Sequence, residues 1–133
     1  MKIKQFYTIA ITSALILFAC NKKDAIGKWN DIIKLSGKDF TFKSSGDSVL
    51  ITAQGKWWGI DCIALDSARL NIVNPTGDVC NFIYTDNNIA ITSRDCNTLF
   101  IKMNPNLKGS ERVLSISLMA GDYRDGIKIT QAK

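Results

Sequence analysis

The sequence predicts an all-β protein, and three observations support this. Beyond residue 30, apolar residues recur with period two, as in half-buried strands, and rarely with the i, i+3, i+4, i+7 spacing of an amphipathic helix. Gly, Asn, Asp and Pro interrupt the alternation at short intervals, which is typical of turns. The segments between turns suit about eight short strands, the number expected of a sandwich or a barrel.

Residues 1–19 have the features of a signal peptide. Lys2 and Lys4 precede an apolar run over residues 6–18. The run is shorter than the about 20 residues that a membrane-spanning helix needs, and it fits the hydrophobic region of a secretory signal. Its removal leaves 114 residues with a net charge of +3, enough for one domain over residues 31–133.

The run ends at residues 17–20, Leu-Phe-Ala-Cys, which resemble the lipobox of bacterial lipoproteins. The resemblance implies a lipidated Cys20 as the first mature residue, with residues 20–30 as a tether to the membrane. Phe18 is bulky for a lipobox, which leaves ordinary signal cleavage as the alternative. Lipoproteins sent to the cell surface tend to carry acidic residues after the cysteine. Residues 21–23, Asn-Lys-Lys, favour instead an outer-membrane anchor that faces the periplasm.

Composition argues against several classes of function. The sequence has no histidine, which removes the commonest general base and the commonest metal ligand. The positive charge is small and scattered, so we expect no nucleic-acid partner. The acids that could pair, Asp61 with Asp66 and Asp122 with Asp125, stand near turns, where carboxylates usually bond to the backbone. We therefore expect no catalytic activity, no cofactor and no metal.

Three cysteines remain besides Cys20, namely Cys62, Cys80 and Cys96. They lack the C-x-x-C spacing of zinc and redox motifs. Cys80 and Cys96 flank a predicted hairpin, so we prefer a disulfide between them, which would stabilise the fold by about 3 kcal/mol. Three reduced thiols are the competing interpretation.

Three short strands are predicted before residue 55. The first lies over residues 31–35 and the second over residues 38–43. A Ser-Ser-Gly-Asp turn at residues 44–47 leads to the third. The inward face of that third strand is predicted to consist of Val49, Ile51 and Ala53.

Residues 56–65 are the most informative stretch, because they contain two adjacent tryptophans. One parity of the strand is uniformly apolar and is predicted to face the core, and the other is mixed. Trp57 belongs to the mixed parity and is therefore predicted to be in contact with water. The inward set is predicted to be Trp58, Ile60, Cys62 and Ala64.

Further strands are predicted in the second half of the domain, separated by loops over residues 74–78 and 104–110. Two hairpins are expected, with turns at residues 86–88 and 120–126. The predicted strands lie over residues 79–85, 89–93, 99–103, 113–118 and 127–131, and residues 70–73 are expected to be short and extended.

Two segments resemble the BACON domain, a small immunoglobulin-like antiparallel β-sandwich common in lipoproteins and glycan-degrading enzymes of Bacteroidetes. Residues 42–60 match its aromatic residue, glycine turn, alternating strand and following Gly and Trp. Residues 106–131 match a second part of the family pattern. In this sequence that part consists of Arg112, an alternating strand and a closing strand that ends in Gln131. The resemblance implies the sandwich fold and a carbohydrate-binding role, but it transfers no identified set of binding residues. Residues 61–96 depart from the family.

A second resemblance competes with the sandwich. Gly27-Lys28-Trp29 matches the G-x-W opening of lipocalins, eight-stranded barrels that bind small apolar ligands. The motif is only three residues long, so the sandwich is preferred.

A binding module of the cell envelope is the function that the sequence favours. Glycan recognition commonly stacks a sugar on an exposed aromatic ring, and Trp57 and Tyr123 are the candidates for that role. Each of the two rings could instead serve packing alone. The expected partners are the membrane, through Cys20, and a polysaccharide. The alternative is a structural lipoprotein that engages a protein partner through an edge strand.

Overall fold

The computed structural model describes residues 30–74 and 77–133, which contain nine β-strands. Within these residues there is no helix long and apolar enough to cross a membrane. In chain order the strands are β1 (Asp39–Phe42), β2 (Asp47–Thr52), β3 (Gly59–Leu65), β4 (Ala68–Arg69), β5 (Phe82–Thr85), β6 (Ile89–Arg94), β7 (Thr98–Met103), β8 (Arg112–Ala120) and β9 (Tyr123–Gln131).

The strands form two sheets that pack face to face as a sandwich. The five-stranded sheet has the order β1-β9-β8-β3-β4 and the four-stranded sheet the order β2-β7-β6-β5. All strand pairs are antiparallel except β1 with β9. The all-β prediction is therefore confirmed. The barrel alternative is wrong, because the strands form two separate sheets rather than a closed one.

The core lies between the sheets and is built from the inward residues of the alternating strands. Leu114, Ile116 and Leu118 of β8 meet Leu99, Ile101 and Met103 of β7, all with at most 1% exposure. Both sheets and this core lie within Asp31–Lys133, which forms one unit. A chain that begins at residue 21 therefore contains everything that the described fold requires.

The predicted first strand over residues 31–35 is absent. The Asp31 carboxylate accepts hydrogen bonds from the backbone N–H groups of Ile33 and Lys34, at 3.1 and 2.8 Å. This local turn bends the segment, and Lys34 takes a positive φ of 53°. Only one isolated bridge remains, between Leu35 and Ala53.

Residues 70–73 also form no strand, because the chain leaves the sheet after β4. The strand predicted over residues 79–85 begins only at Phe82. The Asp78 carboxylate accepts a hydrogen bond from the Cys80 backbone at 2.8 Å and holds the preceding residues in a turn.

A β-bulge in β3 changes which of its residues face the core. Ile60 lies opposite Leu118 and Cys62 opposite Ser117, so Asp61 is the extra residue. The parity therefore inverts after Ile60. The predicted inward positions of Cys62 and Ala64 are wrong, because both are only partly buried whereas Ile63 is fully buried. Trp58, before the bulge, is inward as predicted.

A buried network of polar side chains joins the start of β8 to the end of β9 and to the residue that follows β1. The Arg112 guanidinium, 5% exposed, donates to the Gln131 side chain from both Nε and Nη2. It also donates to the Asn88 side chain and to the Asn104 carbonyl. Gln131 in turn donates to the carbonyls of Lys43 and Asn104. This network explains physically why Arg112 and Gln131 interrupt otherwise apolar inward faces.

Candidate functional site

Trp57 is the most exposed aromatic residue among those described, and its backbone is strained. Its side chain is 79% exposed and its φ is +63°. A bulky residue seldom adopts this left-handed conformation, and such residues cluster at ligand-binding and active sites. Trp58, the next residue, is fully buried.

The neighbours of Trp57 fix this arrangement from both sides. A Cβ at Gly55 would lie 1.9 Å from the carbonyl oxygen of Ile32, so only glycine allows that close approach. On the other side, the indole N–H of Trp58 donates to the Cys96 carbonyl at 2.8 Å. Because Gly55 and Trp58 are both held in place, the chain between them turns tightly and the Trp57 ring points into solvent.

The Trp57 ring forms one wall of a cavity of about 500 Å³ at the end of the sandwich, which we call the apolar cavity. A volume of this size falls within the range of ligand pockets. Gly59 admits the loop that follows β4, because a Cβ there would lie 3.0 Å from the Val79 carbonyl oxygen. The other lining side chains include Ile60, Ile72, Val79, Phe82 and Met119.

The bulge places one carboxylate at this cavity. Asp61 lines it and forms an ion pair with Arg124 of β9, with side-chain exposures of 29% and 58%. Sequence reasoning considered Asp61 only as half of an acidic pair and missed this position. A one-residue bulge leaves no distinct signature in an alternating pattern, so no signal in the sequence identified it.

A second cavity of about 400 Å³ shares Trp57 with the first. We call it the polar cavity because five of its eight lining residues are charged or carry an amide, although apolar atoms form most of its surface; the five are Lys56, Asp78, Asn81, Asp95 and Asn97. Hydrogen bonds from the Asn81 side chain and the Cys80 backbone lower the pKa of Asp78. Trp57 thus stands between two concavities that are open to solvent, and the second adds charged and amide groups to an apolar surface.

Cys80 and Cys96 form a disulfide beside the polar cavity, with Cα atoms 4.5 Å apart. This is the pair that the sequence analysis preferred. Cys62 is a free, partly buried thiol. The disulfide links the start of the β5 hairpin to the turn between β6 and β7, close to the carbonyl that holds Trp58.

Tyr123 lines neither of the two cavities that contain Trp57. It is half-buried, and its hydroxyl bonds to the Asp31 carboxylate. Burial and this acceptor raise its pKa. Lys38 bridges Asp31 and Asp125 at 3.3 and 2.7 Å in the same cluster. These contacts hold Tyr123 against Asp31, at the start of the domain.

Three of the four acids considered as catalytic pairs form ion pairs with cations. Asp61 is the bulge residue near the start of β3, whereas Asp66 follows the end of this strand and is paired with Lys108 at 2.9 Å. Asp125 is paired with Lys38. Among the described residues, no group of three potential metal ligands comes together. Cys20 and the Gly27-Lys28-Trp29 motif lie outside the described residues.

Comparison with known proteins supports the fold. Neither a family model nor a curated protein matches the chain. The chain is similar in structure to a protein from Bacteroides thetaiotaomicron solved by NMR. The TM-score is 0.63 at 16% identity, and the match covers 85% of this chain and 94% of that one. An endo-fucoidan hydrolase of glycoside hydrolase family 107 matches with a TM-score of 0.46 at 11% identity, over 79% of this chain and 14% of that one. At 16% identity, the likeness to the Bacteroides thetaiotaomicron protein concerns the fold alone.

Proposed function

We propose that this domain is a non-catalytic binding module of the cell envelope that holds a neutral or weakly acidic glycan at Trp57. The observation that carries the proposal is the 79% exposed indole on a backbone with positive φ. Exposing a large apolar ring and straining its backbone both oppose stability. A ligand that covers the ring would recover part of that free energy.

The chemistry around the ring suits a sugar. A pyranose ring has an apolar face of C–H groups, which stacks on an indole, and hydroxyl groups at its edge. The apolar cavity provides Val79 and Met119 beside the indole, and the polar cavity provides the Lys56 amine and the Asn97 amide. A glycan lying across Trp57 would meet both kinds of surface.

The charge around Trp57 limits the choice of glycan. Asp61, Asp78 and Asp95 line the two cavities, against the cations Lys56 and Arg124 near them. A densely sulfated or uronic polymer would meet more carboxylates than cations. Neutral and weakly acidic chains are therefore the preferred class.

The proposed location rests on the sequence. The lipobox-like residues before Cys20 and the similarity to BACON domains support a lipid-anchored protein at the periplasmic face of the outer membrane. A glycan ligand would then be a component of the envelope or a polysaccharide imported across it.

Isothermal titration of residues 21–133 with neutral polysaccharides tests the proposal. We expect dissociation constants between micromolar and millimolar, because one stacked ring contributes only about 1 kcal/mol beyond area burial. Trp57→Ala is expected to weaken binding at least about tenfold. Phe100→Ala removes an exposed aromatic ring from the outer face of the four-stranded sheet and should leave binding unchanged. Equal binding by Trp57→Ala and the parent would reject the site.

A protein partner is the second candidate, favoured by a further exposed apolar side chain beside the ring. Val79, which lines the apolar cavity together with Trp57, is 56% exposed. The two side chains offer an apolar surface that a protein side chain would cover. An absence of binding to every glycan on an array would make this the better account.

A further inference from the structure

An apolar row crosses the outer face of the four-stranded sheet. The strand register places Leu50 opposite Phe100, Phe100 opposite Thr92, and Thr92 opposite Ile83. Leu50 is 60% exposed, Ile83 52% and Phe100 38%. These three side chains therefore point away from the core, where a solvated sheet face normally carries polar residues.

The rows on either side of it are polar, and their only charges are positive. One contains Lys102 and the other Arg94, both exposed. The remaining members of these two rows are neutral, namely Ser48, Ala90, Thr85, Thr52 and Thr98. No strand residue on this fully described face is acidic.

The outer face of the five-stranded sheet differs. There Asp39 lies opposite Lys128, and Arg124 is paired with Asp61. Charges of both signs stand together on that face, as on an ordinary solvated surface. Among the residues that the structure describes, the combination of an apolar row with cations that form no ion pair is found only on the four-stranded sheet.

The size of this face argues against a stable protein partner. Three strands of six residues and β5 of four residues, about 4.8 Å apart and with about 3.4 Å per residue, span roughly 360 Å². A stable protein interface buries about 800 Å² per partner. The face therefore fits a weak contact with an extended surface better than a lasting complex.

We propose that this face rests on an anionic membrane surface. Lys102 and Arg94 would meet lipid phosphates, while Leu50, Phe100 and Ile83 enter the headgroup region between them. The start of the domain lies beside this sheet, because the Ser36 backbone N–H donates to the Thr52 carbonyl of the edge strand β2 at 2.9 Å. The ten residues between Cys20 and Asp31 reach at most about 35 Å, so an anchor at Cys20 would keep a weak face close to the bilayer.

Vesicle sedimentation with residues 21–133 tests the inference without the anchor and without any glycan. We expect binding to vesicles that contain phosphatidylglycerol, none to pure phosphatidylcholine, and release by added salt. Lys102→Gln should lower the partition coefficient about fivefold. Lys128→Gln makes the same change of charge on the other outer face and should lower it about twofold at most. The double variant Leu50→Ser with Ile83→Ser, at two exposed sites, should also weaken binding.

Three results would overturn the inference. The first is a lack of binding to phosphatidylglycerol vesicles at low salt. The second is an equal loss in the Lys102 and Lys128 variants, which would indicate attraction by net charge alone. The third is a concentration-dependent dimer that Leu50→Ser abolishes, which would make the face a protein interface.

Discussion

Trp57 and Trp58 are chemically identical neighbours in opposite environments, one almost entirely in water and the other with no exposure. The sequence pattern predicted this difference, because adjacent residues of an extended chain point to opposite sides. It could not predict the positive φ at Trp57, which arises from the close packing of Gly55 against Ile32. We therefore expect substitution of Trp58 to affect mainly stability and substitution of Trp57 to affect mainly binding.

Substitution of the two tryptophans tests that separation. Trp58→Ala should lower the free energy of unfolding by about 3–5 kcal/mol, because it opens a cavity in the core and leaves the Cys96 carbonyl without its donor. Trp57→Gly should be at least as stable as the parent, because glycine adopts a positive φ without strain. Urea midpoints compare the two, and a larger loss at Trp57 would show that the ring is structural.

Asp66 makes a pH-dependent contribution to stability. Its carboxylate accepts hydrogen bonds from the Val113 backbone at 2.8 Å and from Lys108 at 2.9 Å, and these contacts lower its pKa in the folded state. A lowered folded pKa stabilises the fold above the unfolded value, and the gain disappears as pH falls through the folded value. Asp66→Asn should therefore lower the unfolding free energy at pH 7 by about 1 kcal/mol.

That difference between Asp66→Asn and the parent should close in acid, below the folded pKa. Urea unfolding at neutral and strongly acidic pH measures it. Asp122→Asn removes a charge from an exposed turn and should change stability by less than about 0.5 kcal/mol at either pH. A constant difference between Asp66→Asn and the parent would mean that the carboxylate charge is irrelevant.

The bulge in β3 affects both the packing of the core and the position of a side chain at the candidate site. If Asp61 were removed, residues 60, 62 and 63 would follow one another in a regular strand. Ile60 and Ile63 would still face the core, and Cys62 would still face outward. The extra residue thus aims a carboxylate at the apolar cavity and leaves the core pairing of β3 with β8 intact. Bulges are common beside functional sites for this reason.

Deletion of Asp61 should therefore be tolerated. The variant loses one exposed ion pair, so we expect its unfolding free energy to fall by less than about 1 kcal/mol while glycan binding weakens. Deletion of Ser117, opposite the bulge in the regular strand β8, is the matched control. It would turn Leu118 outward and should prevent folding. Circular dichroism and titration measure both effects.

The strands predicted correctly share one property, which is that their alternation is uninterrupted. The strands predicted over residues 99–103 and 113–118 are present, because each keeps period two throughout. Their inward residues are Leu99, Ile101 and Met103 in the first and Leu114, Ile116 and Leu118 in the second. The cavity residues were not predictable in this way. Gly59, Val79 and Met119 are far apart in sequence and meet only through the strand order and the path of a loop. Local patterns do not contain such information.

The proposed lipid anchor at Cys20 would determine where in the cell the glycan site at Trp57 and the membrane-binding face of the four-stranded sheet act. Cys20→Ser should block processing, leave a precursor with its leader attached, and abolish labelling by a clickable palmitate analogue. Cys62→Ser changes a thiol within the domain and should leave labelling intact. Gel mobility and fluorescence detect both. Label retained in Cys20→Ser would reject lipidation at that site.

The pairing of β1 with β9 has a consequence for the order of folding. β1 lies at the edge of its sheet, and its one neighbour among the described strands is β9, the last of these strands in chain order. Synthesis delivers β1 before β9, so β1 has no strand to pair with until β9 has also been made. The five-stranded sheet can therefore be completed only when every one of its strands is present. Truncation within β9 should leave β1 unpaired and make the rest of the sheet, not one end of it, available to proteases.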